Sequence, residues 1–146
     1  MNKIVLLFVL VFGSMTTQAQ ELTWETNINK AIEVSNKTNK PLLLFFTGRA
    51  WCIRMQKEVL KTPEFTKWAN ENVVLVELDY PRRTPQTAEI KKQNGELQQA
   101  FGIQGFPTVF FAKAITKDGK TNFQGLGKTG YVAGGPTAWL AVADGI

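Results

Sequence analysis

The stretch that decides the fold is Leu42-Leu43-Leu44-Phe45-Phe46-Thr47-Gly48-Arg49-Ala50-Trp51-Cys52-Ile53-Arg54-Met55. Its first five residues are apolar without alternation and rich in Leu and Phe. That is the pattern of a strand buried on both faces, in the middle of a sheet. Gly48 supplies a turn, and the spacing predicts a helix over 52–60, so the stretch places a thiol at a helix start, close to the end of a buried strand.

Cys52 is the only cysteine of the 146-residue chain, so no internal disulfide forms. A cysteine at a helix start faces unsatisfied backbone N–H groups and the positive end of the macrodipole, both of which favour thiolate over thiol. Arg49 and Arg54 add positive charge nearby, and no acidic residue lies between Pro41 and Lys57. An inert, buried cysteine stands as the alternative, because unpaired cysteines are often core residues.

Upstream, Ile28, Ala31, Ile32 and Ser35 recur at i, i+3, i+4 and i+7, which predicts an amphipathic helix over 27–38 that Asn39-Lys40-Pro41 ends. Downstream, Thr62-Pro63 marks a break before a helical piece over 64–70. Residues 73–80 read as a second buried strand and 81–85 as a loop. A helix is expected over 87–100, bent or interrupted at Asn94-Gly95. Residues 106–111 enter a third strand, and Asp118-Gly119 signals a hairpin to a short strand over 121–123. The glycine-rich stretch 125–135 follows, then Pro136 opens a closing helix through 143. The order α-β-α-β-α-β-β-α argues for an α/β fold with a mixed sheet of about four strands, covered by helices on both faces.

The N-terminus reads as a secretory signal peptide over residues 1–19. Lys3 precedes an apolar run over 4–12 that is too short to span a bilayer, and small residues at Thr17 and Ala19 favour cleavage after Ala19. An uncleaved anchor is the alternative. The expected protein is residues 20–146, one exported domain with no stable membrane insertion after cleavage. It would be periplasmic if the source is Gram-negative and secreted otherwise. In an oxidising compartment a lone thiol stands out.

The formal charge of +5 is scattered, with Arg82-Arg83 and Lys91-Lys92 the only basic doublets, so no nucleic-acid partner is expected. The absence of histidine removes His-based catalysis and most transition-metal sites. No cofactor and no metal are expected. Cys52 and Met55, one helical turn apart, are soft donors for Cu(I), but two ligands make a thin site.

In this order of elements, certain residues carry a family likeness. They are Lys40 through Gly48 before Trp51-Cys52, Lys57-Glu58-Val59-Leu60 after it, and Gly105-Phe106-Pro107-Thr108 at the start of the next strand. Together they resemble the thioredoxin-like superfamily, most of all its small exported bacterial members. The resemblance implies a thioredoxin-like fold over nearly all of the mature chain, with protein or peptide thiols and disulfides as substrates; the chain is expected to act as a monomer. It implies Cys52 as the attacking sulfur, flanked by Trp51, Ile53, Arg54 and Met55. It also implies a cis bond at Pro107, with Phe106, Pro107 and Thr108 forming a substrate-contacting edge beside the cysteine.

The chain departs from the family at one decisive place. Where redox members carry Cys-x-x-Cys, it has Cys52-Ile53-Arg54-Met55, so the resolving position is a thioether. Such a protein can begin disulfide exchange through a mixed disulfide but needs an external thiol to finish it. Two principal readings stay open: monothiol exchange, whether reduction or isomerisation of protein disulfides, and a non-catalytic peptide-binding or chaperone-like module that has lost the dithiol cycle.

Overall fold

The computed structural model describes residues 21–48 and 52–146. The expected signal peptide, Arg49 and Trp51 lie outside the described residues.

Five strands and five α-helices make up the described chain. They are β1 (Trp24–Glu25), α1 (Ile28–Thr38), β2 (Leu42–Thr47), α2 (Ile53–Met55), α3 (Pro63–Asn72), β3 (Val74–Asp79), α4 (Ala88–Ala100), β4 (Thr108–Lys117), β5 (Lys120–Thr129) and α5 (Gly135–Asp144). A π-helical segment, Gln56–Leu60, continues α2. The sheet order is β1-β3-β2-β4-β5. β2 runs parallel to β3 and antiparallel to β4, which places the apolar run at the centre of the sheet.

All six residues of β2 are buried, and their alternation sorts them between two cores. Leu43 and Phe45 face Met55, Val59, Phe65 and Trp139, from α2, its π-helical continuation, α3 and α5. Leu42, Leu44 and Phe46 face Ile28, Ala31, Ile32 and Leu97, from α1 and α4. A strand with two apolar faces needs helices on both sides, and these five supply them.

Local chemistry explains the helix ends. The Asn27 side chain accepts hydrogen bonds from the Asn29 and Lys30 amides at the start of α1, and Asn39 ends that helix with a left-handed φ of 54°. Thr62 caps α3 and Thr87 caps α4. Asp118 and Gly119, with φ of 54° and 74°, form the hairpin turn between β4 and β5.

Three sequence expectations change. The sheet has five strands, because Trp24–Glu25 adds β1 beside β3. Two residues carry no readable period, and the strand is held by packing: the Trp24 ring lies 5.9 Å from Phe45 and 6.4 Å from Phe65. The helix α4 runs unbroken through Asn94-Gly95. Asn94 is buried and tied to the end of β3, its Nδ2 donating to the Asp79 carbonyl at 3.0 Å and its own carbonyl accepting from the Tyr80 hydroxyl at 2.6 Å. Tertiary hydrogen bonds thus override the local turn preference. The second hairpin strand is ten residues long and takes in Gly125 and Gly127. A side chain at Gly125 would press on the Phe110 ring at 3.2 Å, and one at Gly127 would meet Ile146 at 2.6 Å, so these glycines serve close packing within a strand.

Candidate functional site

The register gathers three chain segments at one end of the sheet. Thr47, the last residue of β2, pairs with Asp79, the last of β3, while Phe46 pairs with Thr108, the first of β4. The carboxyl ends of two parallel strands therefore meet the start of the antiparallel one. In open α/β sheets this is where ligands bind. The chain that leaves β2 at this end leads to Cys52, and the chain entering β4 brings Phe106 and Pro107.

Cys52 occupies the N-cap position of α2, where its carbonyl accepts from the Gln56 amide at 3.0 Å. Its side chain makes no capping hydrogen bond and is only 1% exposed. It belongs to the same apolar cluster as Met55, Val59, Phe65 and Trp139. Met55 is equally buried, so the thioether at the resolving position fills core space behind the helix. Ile53 and Arg54 point the other way, Ile53 being 52% exposed.

The Phe106–Pro107 peptide bond is cis. The Phe106 ring lies 4.9 Å from the Tyr80 ring, with 23° between their planes. Tyr80 is fixed in turn: its amide donates to the Thr47 carbonyl at 2.9 Å. Burial raises the Tyr80 hydroxyl pKa well above its ordinary value. Thr108 donates its hydroxyl to the Gly105 carbonyl at 2.7 Å, which closes the turn before β4. Phe106 also packs against the cluster that holds Cys52. On the far side, Gly130 approaches so closely that a side chain there would meet the Pro107 carbonyl at 3.2 Å.

Sequence reasoning missed a polar group on the outer face of this helix. The Arg54 Nε sits 3.1 Å from Glu58 Oε1, the other Glu58 oxygen accepts a hydrogen bond from the Tyr131 hydroxyl, and the Arg54 guanidinium lies 4.8 Å above the Tyr131 ring. Arg54 is therefore a paired cation, and not the unopposed charge expected beside the cysteine. The Glu58 carboxyl is held below its usual range, first by the Tyr131 hydrogen bond and then by Arg54. The Tyr131 hydroxyl is pushed up, chiefly by its bond to Glu58. The i, i+4 spacing of Arg54 and Glu58 was legible in the sequence. Their partner, 73 residues beyond Glu58, was not.

Among the described residues no cluster of three or more Cys, Asp or Glu side chains is arranged to hold a metal ion. No helix among them is long and apolar enough to cross a membrane.

This sheet, with a cysteine at a helix start and a cis-proline at the same strand end, defines a class: the chain belongs to the thioredoxin-like domain family, which it matches over residues 28–142. Among its relatives is the disulfide bond reductase DsbH of Chlamydia pneumoniae, to which it is 35% identical over 126 residues, covering 84% of this chain and 71% of that one. It is 34% identical over 92 residues to the thioredoxin-related protein DsbJ of the same organism, covering 61% of this chain and 26% of the longer relative. A solved structure of a DsbH oxidoreductase superposes with a TM-score of 0.75 at 31% identity, covering 86% of this chain and 84% of that one. A thioredoxin from Thermus thermophilus, at a TM-score of 0.60 and 18% identity, shares the fold.

Proposed function

We propose that the protein performs monothiol disulfide exchange through Cys52. The Cys52 thiolate attacks one sulfur of a substrate disulfide, forming a mixed disulfide and releasing the other sulfur as a thiolate. An external thiolate then attacks the mixed disulfide and frees Cys52. If that thiol belongs to the same substrate, the net reaction is isomerisation; if it is a small thiol, a second small thiol completes reduction of the substrate and leaves as the oxidised pair. Phe106, Pro107 and Thr108 hold the extended substrate segment. The substrates are protein disulfides, and the protein acts as a monomer after export and removal of residues 1–19.

The observations that support this reading are that the Phe106–Pro107 turn enters β4 at the end of the sheet where β2 ends, and that Phe106 packs against the apolar cluster containing Cys52. The printed name of the relative DsbH, a disulfide bond reductase, supports it. The test incubates the mature protein with a substrate containing scrambled disulfides and a small thiol, and follows recovery of native pairing. Activity that Cys52→Ser abolishes supports the proposal; equal recovery with the variant overturns it.

One observation favours the second reading, a peptide-binding module without redox chemistry: the thiol is buried in an apolar cluster. On that reading, Cys52→Ser leaves partner binding intact and no mixed disulfide ever forms.

A further inference from the structure

We infer that Tyr131 is a positioning residue that latches residues 130–132 onto the helix carrying Cys52, and so sets how often the buried thiol can be reached. This deepens the reading in which Cys52 is the reacting sulfur.

A thiol at 1% exposure meets no reagent or substrate until something around it moves. Tyr131 and Val132 pack against the cluster that contains Cys52, Met55 and Val59. The Tyr131 hydroxyl grips Glu58 on the π-helical continuation of α2, and its ring lies under the Arg54 guanidinium. The preceding residue is fixed as well. The Gly130 carbonyl accepts from Trp139 Nε1 at 3.0 Å, and Gly130 abuts the Pro107 carbonyl. One short segment therefore touches the cysteine helix, the cis-proline turn and α5. Of these attachments, the one to Trp139 is anchored on a fully buried ring. The Tyr131 grip lies outermost, with Arg54 exposed, which makes it the attachment that yields first.

The test is the rate of Cys52 alkylation by iodoacetamide at pH 7, read by intact mass, in the wild type and three variants. Tyr131→Phe keeps the ring and removes the hydroxyl, and is expected to react about two- to fivefold faster, the range set by one exposed charged contact. Glu58→Ala is expected to match it. Glu58→Gln, whose amide oxygen accepts the same hydrogen bond, is expected to stay close to wild type. Hydrogen exchange of the central β2 amides reports global opening, and alkylation in every variant is expected to proceed through an opening far more frequent than that one. Rates that do not move, or alkylation no more frequent than the global opening that β2 exchange reports, overturn the latch. Faster alkylation in variants that show no disulfide chemistry, like their parent, supports the latch and overturns the proposed function.

Discussion

The ring of Tyr80, at the end of β3, lies nearly parallel to that of Phe106, the residue before the cis-proline, at a centroid distance of 4.9 Å. The Tyr80 hydroxyl reaches the other way, to the Asn94 carbonyl inside α4. A single side chain thus joins the proposed substrate edge to the helix behind the sheet. Tyr80→Phe keeps the stack and loses the hydrogen bond, and is expected to cost about 0.5–1.5 kcal/mol in urea unfolding. Tyr80→Ala loses both and is expected to cost roughly 2–4 kcal/mol. It should also raise KM for a disulfide substrate, which Tyr80→Phe should leave near wild type.

Met55 stands where a resolving thiol would be. Mixed disulfides formed at Cys52 are therefore expected to accumulate when no small thiol is added, and to appear by mass as one covalent adduct per chain. Met55→Cys places a second sulfur one turn from Cys52 and is expected to clear the adduct and yield an intramolecular disulfide. Because Met55 is fully packed, the shorter side chain should also lower stability by about 1–3 kcal/mol, measured on the reduced protein.

Acid and base should both loosen the Glu58–Tyr131 contact. The Glu58 carboxyl is depressed from 4.5 in the fold, chiefly by the Tyr131 bond, so its contribution is complete above 4.5 and is lost as pH falls through the lower folded value. The Tyr131 hydroxyl is raised from 10.0, chiefly by Glu58, so its contribution is complete below 10.0 and is lost as pH climbs through the higher folded value. The difference in urea midpoint between wild type and Tyr131→Phe should then hold level between those two values and shrink on either side. A difference that stays constant down to complete protonation of Glu58 contradicts the assignment.

Gly95 lies inside an unbroken helix, and a methyl group there would meet nothing within 4 Å. Gly95→Ala is expected to stabilise the protein by roughly 0.5–1 kcal/mol, because it removes freedom from the unfolded chain without crowding the folded one. Thermal unfolding at neutral pH checks this directly.

Legibility in the sequence followed the range of the interactions involved. The run Leu42 to Phe46 declared a central strand because burial on both faces leaves no polar position, and the Asp118-Gly119 hairpin is a purely local preference. Asn94-Gly95 misled for the same reason: its local turn chemistry is plain, whereas the hydrogen bonds that hold Asn94 in a helix come from Asp79 and Tyr80. The glycine-rich stretch from Gly125 carries no local strand pattern, and the reason a strand runs through Gly125 and Gly127 is their packing against Phe110 and Ile146. Cys52, Met55 and Pro107 stand out in the sequence as candidate site residues from motif residues and their order. The burial of the thiol and the Tyr131 contact depend on segments far apart in the chain, which no local window contains.

The single cysteine has an electrochemical consequence. A dithiol protein carries its own oxidised and reduced forms and hence a midpoint potential, at which it can rest as a half-charged store of electrons. With a thioether at Met55, this chain has no such intramolecular couple. Its oxidation state is defined only jointly with whatever is bonded to Cys52, so under the proposed chemistry its poise follows the surrounding thiol pool rather than any potential built into the fold.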